Sequence, residues 1–288
     1  MRTPDEALAV EGVSHSYGLR DCSFTVRRGA VVALLGRNGA GKTTVLRAVA
    51  GLLRPYGGRV LIFGEPVERG LARIGYVGQQ AALYPMLTVA QTLRLGARLN
   101  PRWDRAHAIS LLGVGGLRAT ARVGSLSVGQ RTRLALVLAL GKRPDLLVLD
   151  EPLAGLDPVA RTELIGALMA DVADRGTTVL MSSHVVAEIE GVCDHVVVLG
   201  DGRVRLAAEI EPALDQHRVA AGPVRDLGVL DDHGVIELRR DGDEFTALVR
   251  AVAPLAGPVT WHRPTLDELL LAYLRAGVPQ PIDEVTPA

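Results

Sequence analysis

Three features of this 288-residue chain predict an α/β fold. Short apolar runs alternate with longer helix-compatible stretches, the pattern of strands and helices packed in layers. Residues 36–43 read Gly36-Arg37-Asn38-Gly39-Ala40-Gly41-Lys42-Thr43, a complete G-x-x-x-x-G-K-[ST] loop between an apolar run and a helix start. Residues 146–151 read Leu146-Leu147-Val148-Leu149-Asp150-Glu151, an apolar strand pattern that ends in two carboxylates.

In chain order, strands are expected at 8–13, 23–26, 31–35 and 59–62, then at 73–77, 146–149, 177–182, 195–199 and 204–207. Helices are expected at 43–50, 89–99, 104–112, 127–140, 158–173 and 185–192. The stretch 89–123 is helical with no strand inside it, so it is read as a helical insert on the α/β core. From about residue 216 the character changes, with Gly222-Pro223, Gly257-Pro258 and Arg263-Pro264 as punctuation. Strands at 235–239 and 245–249 and a helix over 269–274, with Thr265 as its N-cap, predict a small α+β appendage. The expected domains are 1–215, with a helical subdomain at about 85–140, and 216–288.

Composition narrows the class. Hydrophobic residues at 48% and charged residues at 22% suit an ordinary globular core. Aromatics at 3% leave Leu, Val and Ala to fill the interior. The formal charge balances to zero, from 32 basic and 32 acidic residues, which argues against a nucleic-acid partner. Cys22 and Cys193 fit no metal or disulfide spacing and are expected to be small buried hydrophobes. Met1-Arg2-Thr3-Pro4-Asp5-Glu6 shows no apolar leader. The longest apolar stretch, 134–140, falls far short of the ~20 residues a spanning helix needs. A cytoplasmic chain is expected, and any membrane role requires a separate partner chain.

The chemistry of the loop follows from charge. Its glycines let the backbone bend so that successive N–H groups point inward, and the helix that follows adds a favourable dipole. Lys42 can reach the outer phosphates of a nucleotide, and the Thr43 hydroxyl can bind Mg²⁺. Ligands of open α/β sheets sit at the carboxyl ends of the strands, which is where Asp150 and Glu151 fall. Asp150 can then hold Mg²⁺, and Glu151 can orient or deprotonate an attacking water, a role worth ~10²- to 10⁴-fold in rate. Taken alone, the Asp-Glu pair would be an acidic helix cap; beside a phosphate loop that reading loses ground.

With Leu126-Ser127-Val128-Gly129-Gln130 the chain resembles the nucleotide-binding subunit of ATP-binding cassette (ABC) transporters, whose signature is Leu-Ser-Gly-Gly-Gln. The resemblance runs from about residue 8 to 214, with the motif set in order. Tyr17 matches the residue that stacks on adenine, a contact worth ~1–3 kcal/mol where aromatic rings stack on bases in single-strand binders. Gly36, Asn38, Gly39, Ala40, Gly41, Lys42, Thr43 and Thr44 match the phosphate loop and its helix start. Gln79 matches the glutamine that senses Mg²⁺ and the membrane partner. Ser127, Gly129 and Gln130 match the signature, and Asp150 and Glu151 the metal aspartate and catalytic glutamate. Asp157, in Ala154-Gly155-Leu156-Asp157, matches the loop that crosses the dimer, and His184 the switch histidine. Read one at a time, Ser127 is an ordinary N-cap, Tyr17 a turn tyrosine, His184 a helix cap and Gln79 a surface residue.

What the resemblance implies is specific. The fold is that of a P-loop NTPase of ABC type, a mixed-sheet core with an antiparallel β subdomain and a helical insert. The ligands are ATP and Mg²⁺. Two ABC subunits, identical or different, close head to tail on two ATPs, each held between the phosphate loop of one copy and the signature of the other. Hydrolysis energises a separate transmembrane permease, with this chain peripheral on the inner face of the cell membrane. Three positions depart from the pattern: Val128 stands for the signature's third-position glycine, Ala154 for a serine, and Gly78 for a proline. None removes a charged group, so hydrolysis is expected.

The tail Pro264-Thr265-Leu266-Asp267-Glu268-Leu269 resembles ABC-2-type ATPases linked to export of drugs, antibiotics or polysaccharides. Asn100-Pro101-Arg102-Trp103-Asp104 and Val192-Cys193-Asp194-His195 resemble a bacterial branch of that group. The permease contact is expected near Leu83-Tyr84-Pro85-Met86-Leu87, unless those residues are core. The competing readings are a soluble non-transport ABC ATPase and an ATP-binding regulatory subunit with weak hydrolysis. One cassette, a modest insert and the intact Glu151 and His184 speak against them.

Overall fold

In the computed structural model, which describes residues 5–113, 116–230, 233–251 and 258–276, the chain divides into two units, Met1–Glu209 and Ile210–Ala288. Met1–Pro4 and Gly257 of the predicted Gly257-Pro258 break lie outside the described residues.

The first unit opens with β1 (Glu6–His15) and β2 (Leu19–Arg27), an antiparallel pair. β3 (Val31–Gly36) runs into the phosphate loop, and α1 (Lys42–Val49) leaves it. β4 (Gly57–Ile62) and the short β5 (Glu65–Pro66) complete an antiparallel sheet of order β2-β1-β4-β5. A single turn, α2 (Val67–Gly70), leads to β6 (Ile74–Val77). Then come α3 (Val89–Leu99), α4 (Arg105–Gly113) and α5 (Val128–Gly141). β7 (Leu146–Leu149), α6 (Pro158–Arg175), β8 (Thr178–Ser183), β9 (His195–Gly200) and β10 (Arg203–Glu209) follow. The second sheet has the order β10-β9-β3-β8-β7-β6 and is parallel except for the β9–β10 pair.

A parallel sheet covered on both faces needs continuous rather than alternating apolar runs. β3, β7 and β8 are buried at every position. Leu34, Leu146, Val148 and Leu180 share one core with Val45 and Leu46 of α1 and with Leu8 and Val10 of β1. The phosphate loop is thereby anchored on both flanks by packed hydrophobes. The helical insert carries its own core, in which Val89, Ala108, Leu112, Leu126, Leu134 and Val137 meet. Cys22 and Cys193 are free and buried, and burial pushes both thiols up to about 12.

The helix expected at 185–192 does not form; the segment makes one 3₁₀ turn, Val186–Glu188. Tertiary bonds override the local pattern. Val185 is extended, its N–H is taken by the Ser183 hydroxyl at 3.0 Å, and Gly191 adopts φ +70°. The strand expected from Thr177 starts at Thr178, because the Thr177 hydroxyl turns back to donate to Asp171.

The second unit contains α7 (Ile210–Asp215), β11 (His217–Pro223), β12 (Gly234–Asp241), β13 (Glu244–Arg250), β14 (Thr260–His262) and α8 (Leu266–Arg275). Its antiparallel sheet has the order β12-β13-β11-β14. β11 and β14 were not anticipated from sequence; β11 is the inner strand that joins β13 to β14. Thr265 caps α8 in a reciprocal box with Glu268.

His217 is buried here between Ala213 and Tyr273. Nδ1 lies 2.7 Å from the Ala213 carbonyl and must donate, so in the neutral ring Nε2 accepts from the Tyr273 hydroxyl at 2.9 Å. Burial, reinforced by the Arg250 charge, lowers the pKa against the opposing pull of the Ala213 carbonyl. The unfolded chain therefore takes up the proton first, and stability is lost as pH falls below the ordinary imidazole value of ~6.5. The urea midpoint of this unit, read by Trp261 fluorescence in a Trp103→Phe background, is expected to fall between pH ~7 and ~5.5. A pH-independent midpoint would contradict the neutral-histidine assignment.

Candidate active site

The phosphate loop owes its shape to two left-handed glycines. Gly39 has φ +82° and Gly41 φ +101°, and a β-carbon on Gly41 would stand 2.6 Å from Leu19 Cδ2. Only glycine meets both demands there. The turn aims Lys42 inward, and its side chain is only 7% exposed. Its ammonium donates to the Gly36 carbonyl at 2.7 Å and lies 3.5 Å from Glu151 Oε1. An unpaired ion so placed would cost several kcal/mol, and these two oxygens offset that cost.

Asp150 and Glu151 leave the carboxyl end of β7. The β7–β8 register sets Leu149 opposite Met181, which brings Asp150 beside Ser182. The Ser182 hydroxyl donates to Asp150 Oδ1 at 2.9 Å and accepts the Glu151 N–H at 2.8 Å. The same Asp150 oxygen accepts from the Thr43 hydroxyl at 3.2 Å. Glu151 stands at φ +52°, a left-handed conformation that costs a non-glycine residue ~1–3 kcal/mol. Its bond to Ser182 helps hold it there. The turn sends the Glu151 carboxylate to His184, whose Nδ1 is 2.6 Å from Oε2. Ser182 was missed in the sequence because a lone serine at a strand end carries no pattern; the register alone reveals it.

One cleft of about 350 Å³ is lined by Tyr17, Asn38, Gly39, Gly41, Lys42, Thr43, Thr44, Gln79 and Glu151, together with Arg37, which had not been singled out. Gly36 and Ala40 are buried and do not line it, although the Gly36 carbonyl holds Lys42. Tyr17 is 70% exposed at the rim, and its carbonyl accepts from the Thr44 hydroxyl at 3.2 Å. Ser127, Gly129, Gln130 and Asp157 are not in this cleft. They line a second one of about 450 Å³, with Val128, Gly155 and Leu156. There Ser127 caps α5 in a reciprocal box with Gln130, and Asp157 caps α6 by accepting the Ala160 N–H. Val128 is 54% exposed on the first turn of α5.

The donors fit a Mg²⁺ ion. The Thr43 hydroxyl and the Asp150 carboxylate share a hydrogen bond, and Gln79 lines the same cleft, so the set is all oxygen. Among the described residues no group of three His, Cys, Asp or Glu could hold a metal unaided. An ion would complete its shell with phosphates and water, as Mg²⁺ does in phosphoryl-transfer sites.

Comparison with known proteins agrees with this geometry. Residues 19–154 match the family model described as ABC transporter. Nod factor export ATP-binding protein I of Ralstonia nicotianae is 35% identical over 288 residues, covering 96% of this chain and 83% of that protein. Bacitracin transport ATP-binding protein BcrA of Bacillus licheniformis is 35% identical over 188 residues, 63% of this chain and 61% of that one. A solved ATP-binding subunit of an ABC transporter superposes with a TM-score of 0.66 at 32% identity, covering 72% of this chain and 91% of that one. The chain belongs to the ABC transporter ATP-binding proteins. It is an ATPase subunit, with the fold expected of that family, and it works with a membrane component. No helix among the described residues is long and apolar enough to cross a membrane.

Ser182→Ala removes a donor to Asp150 and the acceptor of the Glu151 N–H, leaving buried groups unpaired at ~1–3 kcal/mol. ATPase assays and thermal melts should show both turnover and stability reduced. Wild-type turnover in this variant would mean that Ser182 does not hold the two carboxylates in place.

Proposed function

We propose that this chain cleaves ATP at the 350 Å³ cleft and that two ABC subunits close around the nucleotide to drive export through a separate permease. The convergence of Lys42, Asp150, Glu151 and His184 at the carboxyl ends of β3, β7 and β8 is the observation that carries this reading. The loop N–H groups and Lys42 bind the β- and γ-phosphates, and Tyr17 stacks on the adenine. Thr43 and Asp150, with Gln79, would hold Mg²⁺, which supplies charge neutralisation on the phosphates. Glu151 orients and deprotonates the attacking water, and His184, bonded to that carboxylate, meets the γ-phosphate. Phosphoryl transfer is catalysed chiefly by positioning and electrostatics, so fixing these groups at neighbouring strand ends is the catalytic contribution of the fold.

Ser127, Gly129 and Gln130 form a second anion site at the N-terminus of α5. They sit apart from the first cleft, so the γ-phosphate they take is one presented by a second copy or a related ABC subunit, with Asp157 crossing beside it. Tyr84 and Met86 are 65% and 73% exposed, which supports a permease contact at these two side chains, whereas Leu83 of the same stretch packs against the core of the insert. The chain would then lie on the inner face of the cell membrane. The relatives named for Nod factor export and bacitracin transport support an exported drug, antibiotic, lipid or polysaccharide-type substrate.

Glu151→Gln is expected to lower kcat by roughly 10²-fold or more while ATP stays bound, and to trap a two-subunit species in ATP on size-exclusion chromatography. Undiminished turnover would refute the role given to Glu151, and absence of any ATP-trapped dimer would refute the paired-site model.

A further inference from the structure

Glu188 is a charged residue that the proposed reaction does not use, yet it is buried to 6% exposure beside the His184 segment. A carboxylate removed from water must have both oxygens satisfied. Oε2 accepts from the Ser183 hydroxyl at 2.6 Å, and Oε1 pairs with Arg161 Nη2 at 3.2 Å. The same Ser183 hydroxyl accepts the Val185 N–H at 3.0 Å. One hydroxyl thus ties the two neighbours of His184 together, and Glu188 fixes that hydroxyl.

Arg161 sits in the first turn of α6. Its N–H bonds the carbonyl of Asp157, the cap residue that lines the second cleft. Arg161 is also under-satisfied, for its buried Nε has no hydrogen-bond partner, so the pair with Glu188 is its principal anchor among the described residues. A path of backbone and side-chain links therefore runs from Asp157 of the second cleft, through the Arg161–Glu188 ion pair and the Glu188–Ser183 bond, to the backbone that carries the histidine bonded to Glu151.

We propose that Glu188 is a positioning residue for His184, and that its ion pair with Arg161 couples engagement of the second cleft to the placement of that histidine. The proposal rests on the role given to His184 above. Glu188 touches no reacting atom; it acts by fixing the backbone from which the imidazole projects.

The test uses steady-state ATPase kinetics of the full chain in two backgrounds. Glu188→Gln, nearly isosteric but uncharged, is expected to lower kcat roughly 3- to 30-fold with KM for ATP within about twofold. Added to His184→Ala, it should lower kcat no further, because both act through one imidazole. Arg161→Met should behave like Glu188→Gln, and Arg161→Lys should restore much of the rate. An unchanged kcat in Glu188→Gln, or an equal loss with and without His184, overturns the proposal. If Glu188→Gln does not fold, Ser183→Ala severs the same link at the hydroxyl and is read by the same criteria. If His184→Ala alone turns over at the wild-type rate, the role of His184 fails, the positioning role falls with it, and that single variant identifies the cause.

Discussion

A buried ammonium facing a buried carboxylate is the constraint around which the first unit is built. Lys42 and Glu151, each with less than a tenth of its side chain exposed, can face one another only if surrounding dipoles and hydrogen bonds compensate their desolvation. Compensation comes from the Gly36 carbonyl, which accepts from the Lys42 ammonium, and from His184 Nδ1, 2.6 Å from the Glu151 carboxylate. Both depend on parallel strands that end at the same level. The apolar core beneath β3, β7 and β8 is what keeps those strand ends in register.

The strained φ of Glu151 belongs to the same economy. A left-handed glutamate is unfavourable on its own, and it survives where neighbours over-determine it. Here the Ser182 hydroxyl, the turn bond from Ala154 N–H to the Glu151 carbonyl, and the His184 contact do so together. The result is a carboxylate pointed into the cleft instead of along the strand.

The two clefts of the first unit have different physical characters. The first is built on left-handed glycines and a buried ion pair. The second is built on two helix caps, Ser127 and Asp157, with an exposed valine on its lip. Helix termini attract anions without enclosing them, which suits a site that a second subunit completes and then leaves.

Much of this was legible in the amino-acid order, and the reason is locality. The phosphate loop, the strand that ends in Asp150 and Glu151, and the caps at Ser127 and Thr265 each depend on residues within a few positions of one another. Short-range chemistry of that kind writes itself into spacing. What lay beyond reach depends on long-range pairing. Ser182 matters because β7 and β8 are neighbours, β11 forms because it is flanked by β13 and β14, and Glu188 is tolerated in the interior because Ser183 and Arg161 each take one of its oxygens. Local order thus determined the glycine turn, the acidic strand end and the helix caps. Tertiary structure alone decided which side chains hold them still, because hydrogen bonds between residues distant in sequence exist only once the sheet has closed.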